Sequence, residues 1–190
     1  IWASELEEFG LASLLSHRWS KTVSYFGDGI KDKGNIPTKH YYDYGLINQE
    51  AFQNELLKTC KGIQWLNETA KLIKSENKIS EVICLSGLKI KARLVIDASG
   101  HKSKFIKRPF SKEIAQQAAY GIVGKFSTPP VKKDQFVLMD FRSDHLDDDE
   151  LMKSPSFLYA MDLGSETYFV EETSLACYPA FSQDHLKKRL

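Results

Sequence analysis

The chain has 190 residues, enough for one domain or two small lobes, and 42% hydrophobic with 27% charged residues describes a folded globular protein. Its net charge of +1 gives no basis for binding nucleic acid. No apolar run approaches the ~20 residues that a membrane-spanning helix needs.

The chain opens at Ile1 and ends at Leu190 inside a helical pattern, and it reads as a piece of a longer protein. Cys60, Cys84 and Cys177 are odd in number, widely spaced and without a C-x-x-C motif. They are expected to be reduced and to pack as small core residues. The five histidines are scattered and offer no paired metal ligands, so no metal site is expected.

In chain order, Ser4 and Glu7 have capping-box spacing and predict a helix over 4–16. Residues 22–26 alternate like a strand, and the glycines and proline between Gly27 and Pro37 predict a loop. Residues 40–47 are rich in strand formers. Asn48 then caps a predicted helix over 49–60, whose Phe52, Leu56 and Cys60 form a core-facing stripe. A short strand is expected at 63–66. Alternation over 69–94, broken at Glu76-Asn77 and Ser86-Gly87, predicts a three-stranded antiparallel meander.

Leu94-Val95-Ile96 is apolar without alternation, as in a strand buried in a parallel sheet. It runs into Asp97-Ala98-Ser99-Gly100. Small residues at that end of a buried strand let a cofactor approach the backbone, though an ordinary tight turn has the same composition. Lys102, Lys104, Lys107 and Arg108 form a basic cluster, either a solvated surface or a patch for anionic lipid headgroups. Four further strand-like segments, 115–126, 135–141, 156–161 and 167–177, predict an antiparallel sheet. The acidic run Asp147 to Glu150 lies between strands and reads as an acidic loop or helix start. Residues 182–190 predict a closing helix, with Asp184 early and Lys187, Lys188 and Arg189 late.

Two adjacent acids stand in the last strand-like segment. On a strand, Glu171 shares a face with Phe169 and Thr173, and Glu172 takes the opposite face with Tyr168 and Val170. A solvated edge pair is one reading. The other is a carboxyl kept protonated by burial, which can act as a general acid on an apolar substrate.

The flanking sequence adds a resemblance. Met139-Asp140-Phe141-Arg142, Phe157-Leu158-Tyr159-Ala160-Met161 and Phe169-Val170-Glu171-Glu172-Thr173 stand in order. They resemble the M-D-Y/F-R, F-L-Y-x-M-P and F-L-E-E-T segments of plant and cyanobacterial lycopene cyclases. Asp162 stands where that family usually has proline. The stretch from Val95 to Phe105, V-I-D-A-S-G-x-x-S-x-F, resembles the FAD-binding domain of the aromatic hydroxylase and geranylgeranyl reductase group, to which those cyclases belong.

The resemblance implies an α/β fold with α+β lobes. Residues 1–110 would be a partial FAD/NAD(P)-binding domain with its meander, and 111–190 an incomplete antiparallel substrate lobe. It implies acid-catalysed closure of the ψ ends of lycopene to β or ε rings, with no net redox change. Glu171 would be the acid, Glu172 its tuning or relay partner, and Asp140 a second acid or base. Asp140 serves equally well as an ion pair with Arg142. Asp97, Ala98, Ser99, Gly100 and Ser103 would approach reduced FAD, with NAD(P)H as reductant. Lycopene's insolubility implies peripheral association with a photosynthetic membrane, plastid or cyanobacterial. This stretch lacks a G-x-G-x-x-G turn and would bind FAD poorly and be inactive alone. The rival readings are a FAD-dependent monooxygenase or geranylgeranyl-type reductase, and an inactive carotenoid-binding protein.

Overall fold

The computed structural model describes residues 1–27, 34–100, 103–107 and 114–190. Part of the 27–37 loop, and Lys102 and Arg108 of the basic cluster, lie outside the described residues. The chain divides into two compact units, Ile1–Thr59 with Glu113–Leu190, and Cys60–Lys112. Lobes of 1–110 and 111–190 cut across this division, because an N-terminal strand pairs with the C-terminal sheet.

Helix α1 spans Ala3–Glu8 and is followed by a 3-10 turn at Ala12–Leu14. The predicted helix over 4–16 stops early. Gly10 sits at φ +69°, Leu11 N donates to the Leu6 carbonyl at 2.8 Å and Gly10 N to the Glu7 carbonyl at 3.0 Å, which is a Schellman closure. Trp2 occupies the N-cap without a side-chain bond, so Ser4 falls inside the first turn instead of capping it. Strands β1 (Leu15–Trp19), β2 (Lys21–Tyr25), β3 (Thr38–Lys39) and β4 (Tyr44–Ile47) follow. Helix α2 spans Gln49–Thr59, and Asn48 Oδ1 caps it by accepting from Ala51 N at 3.0 Å. No residue of α2 is buried among the described residues, so the expected core stripe is unfilled.

The second unit holds the meander β5 (Ala70–Glu76), β6 (Ile79–Cys84) and β7 (Lys89–Ala92), antiparallel in that order. Ile63 to Leu66 forms no strand, and Trp65 is 68% exposed. Leu94-Val95-Ile96 also forms no strand, with Leu94 and Ile96 exposed. An apolar run becomes a buried strand only between partner strands, and no described strand pairs with this one.

The chain then returns to the first unit with β8 (Ala119–Gly124), β9 (Gln135–Asp140), α3 (Asp148–Leu151), β10 (Ser156–Asp162), β11 (Tyr168–Ser174) and α4 (Gln183–Arg189). The acidic run starts α3, with Asp147 capping it from Glu150 N at 2.8 Å. A six-stranded sheet forms in the order β3-β2-β9-β10-β11-β8. The four expected strands, β8 to β11, pair antiparallel with one another, and β2 joins them in parallel through β9, which makes the whole sheet mixed.

Each face of the sheet has its own core. Val23, Val137, Ala160, Tyr168 and Val170 cluster on one face, with Leu190 packed against them. Helix α4 packs on β8 and β11, and its Leu186 is fully buried. On the other face Trp19 and Phe136 are fully buried and Leu138 nearly so, flanked by Trp2, Tyr44, Tyr159 and Met161. The first is called the α4 face and the second the aromatic face.

Asp162 closes the β10–β11 hairpin. Its carboxylate accepts from Gly164 N and from Asp134 N, each at 2.8 Å, and its carbonyl accepts from Trp19 Nε1 at 2.6 Å. A proline there has no side-chain acceptor. Aspartate fastens the turn to the β8–β9 connection by hydrogen bonds instead.

Candidate active site

The pleat of β11 separates the two acids. Tyr159 stands directly across from Glu171, Phe157 across from Thr173 and Met161 across from Phe169. These residues lie on the aromatic face, where Phe136 stacks on Tyr159 at 6.1 Å and Phe157 meets Tyr159 edge-on at 4.9 Å. Glu171 is half-buried there, and Thr173 Oγ1 donates to its Oε1 at 2.8 Å.

Gly121 of β8 is the partner of Glu171 on the other side. A Cβ at Gly121 would lie 3.0 Å from the Glu171 Cβ, 3.2 Å from its Cγ and 3.0 Å from a ring carbon of Phe169. The missing side chain makes room for the Glu171 stem. Nothing local in the sequence marks Gly121, because a glycine in a strand shows its purpose only once its cross-strand partner is known. Tyr159 holds its phenolic proton more tightly than usual, from burial first and then from the charges of Tyr44 and Glu171.

Glu172 lies on the α4 face and is 7% exposed. Ser156 Oγ donates to its Oε1, and Arg189 Nη1 donates to Ser156 Oγ at 2.6 Å. Burial pushes the Glu172 carboxyl above the usual glutamate range and Asp140 adds to this, while Ser156, Arg189 and His145 pull it down. Glu172, Ser156, Asp140, His145 and Arg189 line one cavity of about 420 Å³. The structure therefore brings Glu172 and Asp140 to one cavity and puts Glu171 on the opposite face.

Asp140 is held by Arg142, whose Nε reaches both carboxylate oxygens at 2.9 and 3.1 Å and whose Nη2 also donates. The Arg142 guanidinium lies over the Tyr25 ring at 3.9 Å. Of the two readings of Asp140, this geometry is that of the ion pair.

The Asp97–Ser103 turn belongs to the second unit. Asp97 Oδ1 accepts from Ser99 N at 3.0 Å and from Ser99 Oγ at 2.6 Å, and Oδ2 accepts from Ser103 Oγ. Ser103 is buried, whereas residues 97–100 are exposed. Gly100 has φ +85°, with open space where a Cβ would stand. A self-fastened turn of small exposed residues is the shape on which a flat or anionic cofactor can rest against backbone.

The chain matches the model of the family described as lycopene cyclase protein over residues 1–190. It belongs to the lycopene cyclase family. It is 50% identical to the lycopene beta cyclase of Synechococcus elongatus, covering 100% of this chain and 45% of that protein. It is 31% identical to the chloroplastic lycopene beta cyclase of Arabidopsis thaliana, covering 100% of this chain and 38% of that protein. The chain thus spans under half the length of these curated relatives. The crystal structure of a Klebsiella pneumoniae HpxO variant complexed with FAD aligns at TM-score 0.51 and 12% identity, over 99% of this chain and 50% of that one. That likeness is one of mixed α/β fold. The resemblance carried by the motifs from Met139 to Thr173 holds at family level. No described helix is long and apolar enough to cross a membrane.

Proposed function

We propose that the intact protein closes the open ends of lycopene into rings in carotenoid biosynthesis, with Glu171 as general acid. The observation that carries this is the place of Glu171 on the aromatic face, between Tyr159 and the gap left by Gly121. A polyene has no polar handle and rests best on an apolar surface. Protonation of its terminal double bond gives a tertiary cation. The neighbouring alkene attacks that cation and closes a six-membered ring, and proton loss leaves a neutral ring. Aromatic faces such as those of Tyr159 and Phe157 stabilise the cation by roughly 0.5–2 kcal/mol each. Thr173, donating to Oε1, leaves the other oxygen of Glu171 to carry the proton.

Asp97, Ala98, Ser99, Gly100 and Ser103 suit the cofactor expected from the family. Ala98, Ser99 and Gly100 would lie against FAD, and Asp97 and Ser103 would hold the turn's shape. When bound and reduced by NAD(P)H, the cofactor would supply negative charge, which lowers the energy of a cation. Peripheral contact with a plastid or cyanobacterial photosynthetic membrane would deliver the substrate.

The test is expression of the full-length protein in bacteria that accumulate lycopene, followed by chromatography of the pigments. Cyclic carotenoid from the wild type, lost in Glu171→Gln by about 10²–10⁴-fold, is the expected result. Unchanged lycopene with FAD bound would contradict it. A FAD-dependent redox enzyme, the rival reading, would instead consume NAD(P)H in proportion to product.

A further inference from the structure

Behind Glu171, on the α4 face, runs a continuous chain of buried and part-buried donors and acceptors that the proposed chemistry does not use. Arg189 closes α4 and is 7% exposed. Its Nε donates to Glu150 Oε2 at 3.0 Å, its Nη2 to the Glu150 carbonyl at 2.9 Å, and its Nη1 to Ser156 Oγ at 2.6 Å and to the Ser154 carbonyl at 3.4 Å. The guanidinium also lies 5.0 Å from the centre of the Phe181 ring. A guanidinium so fastened has little freedom left. It fills an acceptor position of Ser156 Oγ. That hydroxyl has one proton, and the proton goes to Glu172 Oε1. The order of donation is therefore fixed from Arg189 through Ser156 to Glu172.

Resting on the reading of Glu171 as the acid, we propose that Glu172 is a positioning residue, held by Ser156 and Arg189 so that the adjoining Glu171 keeps its place on the aromatic face. The two residues share a peptide bond, so slippage or rotation of β11 at Glu172 moves Glu171 by a comparable distance. A misplacement of ~1 Å at a reacting group costs on the order of 100-fold in rate. β11 is held elsewhere by backbone pairs, but at this point the clamp adds a side-chain lock between β10, β11 and α4. Asp140 and His145 act electrostatically on Glu172 from β9 and the segment after it, and Arg142 and Asp144 line the same cavity. None of these replaces the directional bond from Ser156.

The role separates from catalysis by substitution in the intact protein. Turnover of lycopene in vesicles is measured per folded molecule, with folding checked by near-ultraviolet circular dichroism. Glu172→Ala and Ser156→Ala are expected to lower kcat by about 10–100-fold with KM held, as for a displaced acid. Glu172→Gln, which still accepts from Ser156, and Ser156→Thr, which still donates, are expected to lose less than tenfold. Glu171→Gln is run beside them. Glu172→Gln as inactive as Glu171→Gln would overturn the inference, because the carboxyl of Glu172 would then be needed for more than accepting the bond from Ser156. Full turnover in Glu172→Ala would overturn it too. An active Glu171→Gln would remove the acid assignment, and the positioning role with it.

The clamp also has a readout that needs no turnover, so a wild type without cyclic product defeats the proposed function separately. The infrared band of a protonated carboxyl is assigned to Glu172 by its loss in Glu172→Gln. Ser156→Ala is expected to move the midpoint of that band up by about one pH unit. A midpoint that stays fixed would show that Ser156 does not hold Glu172.

Discussion

Glu171 and Glu172 are neighbours in sequence, yet the sheet gives them opposite surroundings. On the aromatic face, Glu171 has a threonine hydroxyl, a tyrosine and a glycine gap for neighbours. On the α4 face, Glu172 is enclosed by a serine and an arginine that is itself fixed to α3. Glu171 is half-buried, whereas Glu172 is buried and tied to two other elements. The period-2 pleat thus gives a repeated residue two environments, to which the proposal assigns two functions, and a one-residue slip of β11 would exchange them.

The comparison can be broken first at its cores. Trp19→Ala empties the centre of the aromatic face, where the side chain is fully buried. It is expected to cost about 3–5 kcal/mol by denaturant unfolding of the intact protein. Leu186→Ala, at the matching depth under α4, is expected to cost about 2–5 kcal/mol. Comparable losses would show that both faces hold the sheet. Next is Asp162→Ala, which strands two backbone N–H groups and is expected to cost about 1.5–3 kcal/mol by the same measurement.

A smaller effect sharpens the difference between the faces. Gly121→Ala pushes a methyl against the Glu171 stem and Phe169. It is expected to lower turnover by about 10–100-fold. Gly124→Ala on the same strand has open space at its Cβ and is expected to leave turnover within threefold of wild type. Equal effects at the two glycines would count against a crowded site at Glu171.

The smallest effect is a pH dependence. The folded carboxyl of Glu172 titrates above its unfolded value of about 4.5, chiefly because it is buried. Below that value both states are protonated and stability does not change with pH. As pH rises from there to the folded value, the unfolded state releases its proton first, so stability falls. Glu172→Gln removes the titration. The melting temperature of wild type minus that of Glu172→Gln should therefore decline with rising pH and then level off. A rising difference would mean that the carboxylate, not the acid, is the form held in the fold.

Much of this was legible in the sequence where signals are local. Alternation and turn residues located β5, β6 and β7, and Asn48 marked the start of α2. The motifs from Met139 to Thr173 marked three adjoining strands and the family. What was not legible depends on distant partners. The parallel pairing of β2 with β9 joins segments more than a hundred residues apart, and no local pattern announces it. Leu94-Val95-Ile96 has the composition of a buried strand, but composition does not supply the neighbours that make one. Arg189 reads as a cation at a helix end, yet its work lies in the bonds to Ser156 and Glu150. That Glu171 and Glu172 part to opposite faces follows from the pleat alone, but which face is aromatic needed the fold.

The most direct measurement compares single-turnover rates of Glu171→Gln and Glu172→Gln in the purified intact protein, loaded with reduced FAD and lycopene. A loss of about 10²–10⁴-fold in the first and less than tenfold in the second is what a division of labour between the faces requires. Equal losses would contradict it, and a greater loss at Glu172 would also place the acid on the α4 face.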